Sequence, residues 1–317
     1  MKERLKKLLR RFPELYFYVE LLYGRLNAYR LSRLSEAEFI ARDIERAVGR
    51  KLDLKNPRSF TEKLNWIRVY GDIEQYHIYA DKLLARQHIA AKVGEQYLVP
   101  LLGVWDKAAD IDFDRLPDRF VLKATHGSGY NVTCTDKSSL PVALTRKKLN
   151  AWLRENYGVL KRERQYRHCQ PKIIAEAYLD EPGGLYDYKF YCFDGVPAFC
   201  QCIGERNVDI FKCDWYDADW NLMPFTFPIL VNHSHPHLDK PKEKPARLAE
   251  MLAVARKLSA GHAFIRIDLY CVADKVYCGE LTIIPANGQG LIVPEEWNLR
   301  VGAMLDLAKY PTVKSSR

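Results

Sequence analysis

The C-terminal stretch "HAFIRIDLYCVADKVYCGELTIIPANGQG", His262 to Gly290, restricts the fold more than any other part of the chain. Strict alternation puts Ile265, Ile267 and Leu269 on one face of a strand and Arg266 and Asp268 on the other. A second alternating run, "KVYCGELTII", puts Glu280 and Thr282 on one face. A hairpin centred on Asp274 sets Asp268 opposite Glu280 and Arg266 opposite Thr282, and a slip of one residue would undo that pairing. Two carboxylates facing each other with Cβ atoms about 5 Å apart destabilise a sheet, so something must compensate. A hard divalent cation with oxygen ligands does so, and Mg²⁺ typically takes one or two carboxylates plus substrate phosphates. Neutralisation by Arg266 alone is the structural alternative.

A second signal is "FVLKATHGSGYNVTCT", in which an apolar strand leads through Gly127 and Gly129 into a β-branched strand. It has neither the GxxxxGK[ST] of a P-loop nor the GxGxxG of a dinucleotide fold, and it runs from strand to strand. Lys123 reads as a lone cation in an apolar strand, close in sequence to backbone N–H groups freed by the glycines. A lysine charge with loop N–H groups suits phosphate oxygens. The plain alternative is a hairpin turn with a snorkelling lysine.

A third is "KIIAEAYLDEPGGLYDYKFYCFDGVP". Glu176 interrupts its first, apolar strand. The second strand alternates Asp187, Lys189, Tyr191 and Phe193 before the hairpin signal Asp194-Gly195. Asp187 and Lys189 share a face, where an ion pair on a strand surface is the bland outcome. "EPGGLY" reads as a hinge.

The rest of the chain frames these signals. Residues 1–80 form a basic, mainly helical segment, with capping-box spacings at Ser35/Glu38 and Ser59/Glu62. Residues 81–117 are an α/β segment whose helix ends at Gly94, and two lobes follow, 118–183 with the glycine loop and 184–317 with the paired acids. The expected class is α+β. A 48% hydrophobic content fills such cores, and the eight cysteines form no CxxC pair or zinc spacing. Cys200 and Cys202 read as small core residues in a reduced, cytoplasmic chain. No apolar run reaches the roughly 18 residues that span a bilayer, and no signal peptide is evident. Asn131-Val132-Thr133 is a formal glycosylation acceptor without consequence in the cytoplasm. The formal charge of +9 owes much to "MKERLKKLLRRFP", where Leu5, Leu8 and Leu9 share a helical face. That helix packs on the core, or contacts the inner face of the membrane or polysaccharide-assembly proteins. The other basic residues are dispersed among acids with no nucleic-acid module, which argues against nucleic acid. His233, His235 and His237 read as loop residues rather than metal ligands.

Taken in order, "SFTEKLNW", "YADK", "FVLKATHGSGYN", "PKIIAEAYL", "DYKFYCFDGVP", "DWYDADWN", "FIRIDLY" and "GELTIIPANG" resemble the TupA-like ATP-grasp family, named after a teichuronopeptide biosynthesis protein. The resemblance covers Asn56 to Leu307. It implies an ATP-grasp fold, in which two α+β lobes grip ATP behind an N-terminal helical and α/β segment. It also implies that Lys123 and Lys189 hold the α and β phosphates, with Lys82 a weaker phosphate candidate. The loop His126, Gly127, Ser128, Gly129, Tyr130 and Asn131 would cover the triphosphate. The backbone of Glu176, Ala177 and Tyr178 would meet adenine, and Asp187 the ribose. Asp268 and Glu280 would hold Mg²⁺ while Arg266 stabilises the transferring phosphoryl group. Many superfamily members close the metal site with Glu-x-Asn; here the motif is Glu280-Leu281-Thr282, leaving Thr282 or Asn287 as the third ligand.

The implied activity is ATP-dependent carboxylate–amine ligation through an acyl phosphate, joining an amino acid or amine to a sugar or uronic acid in cell-surface polysaccharide synthesis. The alternatives are an ATP-dependent sugar or glycan kinase and a glycosyltransferase of a capsule or O-antigen pathway. Arg164, Arg167 and Arg206 are candidate contacts for an acidic acceptor.

Overall fold

The computed structural model describes residues 8–204, 212–227 and 236–312. Leu5, Arg206, His233 and His235 lie outside them. The chain divides into two compact units, residues 1–39 with 101–178 and residues 40–100 with 179–317. The segments 1–80 and 81–117 therefore each contribute to both.

The first unit begins with α1 (Pro13–Leu31) and the opening turn of α2 (Glu36–Val48). The capping box expected at Ser35 is present: its backbone N–H donates to Glu38 Oε2 at 2.9 Å, and its Oγ accepts from the Glu38 N–H at 3.3 Å. The sheet is antiparallel, in the order β1-β4-β2-β3, from β1 (Leu101–Trp105), β2 (Phe120–Ala124), β3 (Asn131–Cys134) and β4 (Ile173–Ala177). Helices α6 (Val142–Leu153) and α7 (Tyr157–Lys161) accompany it. Phe120, Leu122, Leu149, Trp152, Ile173 and Ala175 form the centre of its core.

The second unit holds α3 (Phe60–Tyr70), α4 (His77–Ala80), α5 (Lys82–Val93), α8 (Leu248–Ser259) and α9 (Glu295–Met304). Its sheet runs β7-β6-β5-β8-β9, from β5 (Asp187–Phe193), β6 (Val196–Gly204), β7 (Lys212–Asp217), β8 (Phe264–Val272) and β9 (Lys275–Thr282), all antiparallel. Ser59 completes the second capping box with Glu62. Gly94 ends α5 at φ 111°, a conformation a side chain resists. Leu248, Met251, Val254, Ala255 and Leu258, at three- and four-residue spacings, are the buried side of α8 and belong to the same core as Phe190, Cys192, Cys200 and Ile265. Cys200 and Cys202 are core residues as expected, and burial pushes the Cys192 thiol up to about 12.

Two hairpins fix the register of the charged strands. Asp194 and Gly195 join β5 to β6 with φ 49° and 76°, the left-handed pair that a two-residue turn needs. The β8–β9 hairpin pairs Asp268 with Glu280 and Arg266 with Thr282, but it is not centred on Asp274. The turn is the residue pair Ala273-Asp274, with φ 47° and 59°, so pairing near it is shifted by one residue. A bulge between Asp268 and Leu269 leaves Gly279 extra on β9 and restores the shift. A Cβ there would lie 2.5 Å from the Tyr270 ring, so a larger residue would have to displace that ring.

Candidate active site

Strand β5 is buried at all seven positions and lies between β6 and β8. Alternation sends Asp187, Lys189 and Tyr191 to one face, and on β8 the same period brings Arg266 and Asp268 alongside them: Lys189 pairs with Asp268, and Tyr191 with Arg266. Lys189 Nζ lies 2.9 Å from Asp187 Oδ2 and donates a short hydrogen bond to Asp268 Oδ2. Arg266 grips the same carboxylate in a fork, Nε to Oδ1 at 2.6 Å and Nη2 to Oδ2 at 2.8 Å. Its Nη2 also donates to Thr282 Oγ1 at 3.0 Å and lies 3.6 Å from Glu280 Oε2. Asp187 and Asp268 are 0% and 1% exposed, whereas the Glu280 side chain is 48% exposed.

Burial alone would raise the Asp268 carboxyl; Arg266 and then Lys189 overcome it and hold the group below its ordinary value. Burial would likewise depress Arg266, but Asp268 and Glu280 keep it firmly protonated. Burial also raises the Tyr191 phenol, to about 12.

Compensation for the facing carboxylates thus comes from two cations, Arg266 and Lys189, where the sequence offered a metal or Arg266 alone. The donor set still fits Mg²⁺: the Asp268 and Glu280 carboxylates and the Thr282 hydroxyl are hard oxygens, and Glu280 is half open to solvent. Among the described residues no three His, Cys, Asp or Glu side chains gather into a metal cage. One or two carboxylates shared with phosphate oxygens is the usual Mg²⁺ arrangement. Asn287 sits in the left-handed turn Pro285–Gly288 beyond β9, with φ 49°. Asp187, implied at the ribose, is fully buried, with Oδ2 2.9 Å from Lys189 Nζ. The signal for its burial was that "DYKFYCF" carries apolar or aromatic side chains on both faces, Tyr188, Phe190 and Cys192 on one and Tyr191 and Phe193 on the other, which marks a central strand rather than a solvated one.

In the first unit, Lys123 is not the lone cation its strand suggested. It pairs across β2–β3 with Asn131 and across β2–β4 with Ile174, and Val121 pairs with Glu176. Lys123 and Glu176 are therefore diagonal neighbours on one face, and Nζ meets Glu176 Oε2 at 2.6 Å. The glycine loop is anchored by its outer residues. His126 is 2% exposed, with Nε2 2.9 Å from the Trp152 carbonyl oxygen. Tyr130 stacks on Trp152 at 5.1 Å and donates to Glu155 Oε2 at 2.6 Å, and burial followed by that carboxylate pushes its phenol far up. Gly127 is fixed by contact, since a Cβ would lie 2.9 Å from the rings of Tyr130 and Tyr157. Ser128 and Gly129 form the exposed tip.

Lys82 is the first residue of α5, behind Asp81, whose carboxylate caps the helix by accepting from the N–H groups of Leu83 and Leu84. Ala177 ends β4, and the ring of Tyr178 carries the Arg119 guanidinium 4.3 Å from its centroid. Arg164 is buried, and Arg167 lies 3.8 Å from Glu36. His237 meets the carboxylate of Asp214 at 2.6 Å.

The family described as TupA-like ATP-grasp matches residues 62–306. The chain belongs to this TupA-like ATP-grasp family. Its fold is therefore the ATP-grasp fold, of α+β class, as the motif order implied. No curated protein matches the chain. Among solved structures, D-alanine–D-alanine ligase from Bacillus anthracis complexed with ATP is similar at 15% identity and TM-score 0.43, over 74% of this chain and 67% of that one. L-amino acid ligase from Bacillus licheniformis is similar at 17% identity and TM-score 0.42, over 67% and 44%. A RimK domain ATP-grasp protein from Sphaerobacter thermophilus is similar at 9% identity and TM-score 0.38, over 79% and 70%. This ATP-grasp chain thus spans less than half the length of the L-amino acid ligase.

Proposed function

We propose that the protein is an ATP-dependent carboxylate–amine ligase acting through an acyl phosphate. In the finer reading it joins an amino acid or amine to a sugar or uronic acid during cell-surface polysaccharide synthesis. The observation that carries the ligase reading is the charged row on β5, β8 and β9: Asp187, Lys189, Arg266, Asp268 and Glu280 in mutual contact, four of them buried. Apolar residues of similar volume are often as stabilising as buried ion pairs or more so. A row with that desolvation cost is a candidate functional site.

The proposed chemistry needs no side-chain nucleophile. A substrate carboxylate oxygen attacks the γ-phosphorus, ADP leaves, and the acyl phosphate forms. An amine then attacks the acyl carbon, phosphate leaves with the acyl C–O bond broken, and loss of the amine proton leaves the amide. Charge neutralisation, alignment and exclusion of water supply the rate enhancement. Arg266 and Lys189 would provide positive charge for phosphate oxygens. Asp187, closed against Lys189, is assigned the task of orienting that lysine rather than contacting ribose. Asp268, Glu280 and Thr282 would hold Mg²⁺, which when bound neutralises phosphate charge. In the first unit Lys123 and the exposed amides of Ser128 and Gly129 are assigned to phosphate, with Lys82 a further cation and the Glu176–Tyr178 backbone assigned to adenine. Among the described residues no helix is long and apolar enough to cross a membrane. The cytoplasm, where ATP is made, is the proposed location.

The test begins with thermal stability of the full chain under Mg²⁺-ATP and under a panel of nucleotide sugars. Ligand at a hundred times its dissociation constant adds about 2.7 kcal/mol. A shift with ATP alone supports the reading, and an acceptor screen follows in which ADP appears together with free phosphate. ADP without phosphate would make the protein a kinase, and a shift only with nucleotide sugars would make it a glycosyltransferase.

A further inference from the structure

Helix α1 contains 19 residues and buries none of them, although apolar and aromatic side chains surround it. At about 100° per residue, Phe17, Leu21, Gly24, Ala28 and Leu31 form one face. That face turns inward, with Phe17 edge-on to Trp152 at 6.4 Å and packed on the core of the first unit. Leu15, Val19, Leu22, Leu26 and Tyr29 form the opposite face, and there Leu15, Leu22, Leu26 and Tyr29 are 51%, 59%, 55% and 71% exposed. An outer apolar stripe backed by an inner one explains why the helix shows almost no amphipathic asymmetry. Contiguous exposed apolar surface of this kind marks an interaction site.

The flanks of the stripe indicate what covers it. Tyr18 borders one side together with Arg25, whose Nε donates to the buried Glu155 carboxylate at 3.2 Å, and Tyr23 and Arg30 border the other. The 4-3 spacing of the stripe would suit a second copy of the helix, but in such a pair Arg25 and Arg30 occupy the flanking positions and face one another's counterparts, like charge against like. The first 33 residues carry nine basic and three acidic side chains, six of the chain's formal +9. Exposed leucines bordered by tyrosine and arginine, with a strongly basic surrounding sequence, match an interfacial helix on anionic lipid.

We propose that the outer face of α1 lies flat on an anionic membrane surface, with Leu15, Leu22 and Leu26 at the acyl boundary and Arg30 among the headgroups. The site is independent of the ligase reading, because binding needs no nucleotide.

Co-sedimentation of the full chain with vesicles tests it. The expected result is binding to phosphatidylcholine vesicles containing roughly one third phosphatidylserine, little binding to phosphatidylcholine alone, and weakening as salt rises. Leu22→Glu with Leu26→Glu should cut partitioning by more than about tenfold, and Arg30→Gln by about fivefold. The thermal midpoint should hold in both, since these side chains are solvent-exposed. Equal binding to both vesicle types, or none to either, overturns the proposal. So does a concentration-dependent dimer that the Leu22/Leu26 variant abolishes while parent and variant both ignore vesicles.

Discussion

Lys189→Met removes one ammonium and almost no volume from the second unit. In the parent that ammonium lies between Asp187 and Asp268, whose carboxylates are 0% and 1% exposed. Breaking a buried pair from one side costs about 3–5 kcal/mol. The lower end applies here because Asp268 keeps its fork with Arg266. At about 2–4 °C per kcal/mol for a unit of this size, the thermal midpoint should fall by about 6–12 °C near pH 8. The loss should depend on pH in a definite direction. Without the ammonium a buried carboxyl titrates above its unfolded value, about 3.9, so its protonated form favours the folded state. The variant should therefore regain stability relative to the parent as pH falls through that raised value, and Lys189→Met with Asp187→Asn should recover most of the loss at high pH. Differential scanning calorimetry from about pH 8 to pH 5 measures both effects. A single variant as stable as the parent, or equally destabilised at every pH, would refute the idea that Lys189 is the shared counterion of two buried acids.

Glu280→Gln acts at a half-exposed side chain 3.6 Å from Arg266, so stability should change by less than about 0.5 kcal/mol while Mg²⁺-dependent ADP formation drops on the order of a hundredfold; both are read on one preparation. Lys123→Met removes a cation paired with Glu176 at 2.6 Å. Loss of a charge-assisted contact to phosphate, about 1.5–3 kcal/mol, should raise the ATP dissociation constant about 10- to 100-fold by calorimetry. Asp268 is held below its ordinary value, so its stabilisation is full above about pH 4 and is lost only as pH falls through the lowered value. Asp268→Asn should lower the urea midpoint at neutral pH and flatten the parent's decline below about pH 4.

The pairing of Asp268 with Glu280 was legible because alternation is a period-two signal, and a slip of one residue would turn Glu280 to the face of Ile265, Ile267 and Leu269. The turn was not. A hairpin centred on Asp274 and a two-residue turn with a bulge at Gly279 give the same Asp268–Glu280 pair, and what separates them is the Tyr270 ring lying over Gly279, a contact between strands. Charge partners were harder still. Glu176 lies 53 residues after Lys123, and Asp268 lies 79 after Lys189. Both pairs exist because a non-sequential strand inserts beside the lysine: β4 beside β2, and β8 beside β5. Local spacing revealed which residues were charged within apolar strands, but strand order decided what neutralised them.

That order also bears on how the proposed site would take up its ligands. Three carboxylates, Asp187, Asp268 and Glu280, meet two cations, Lys189 and Arg266, leaving the row one negative charge before anything binds. A nucleotide triphosphate approaching alone meets net repulsion, and a divalent cation approaching alone finds Asp268 already gripped by both cations. Arriving together, phosphate oxygens would draw Lys189 and Arg266 toward themselves, and the carboxylate they release would become available to the cation. Each ligand would thereby remove the obstacle to the other, which would be positive coupling between two binding events. Thr282 fits the same logic: its hydroxyl accepts from Arg266 at 3.0 Å, so this proposed ligand is held by the side chain whose reorientation would free it.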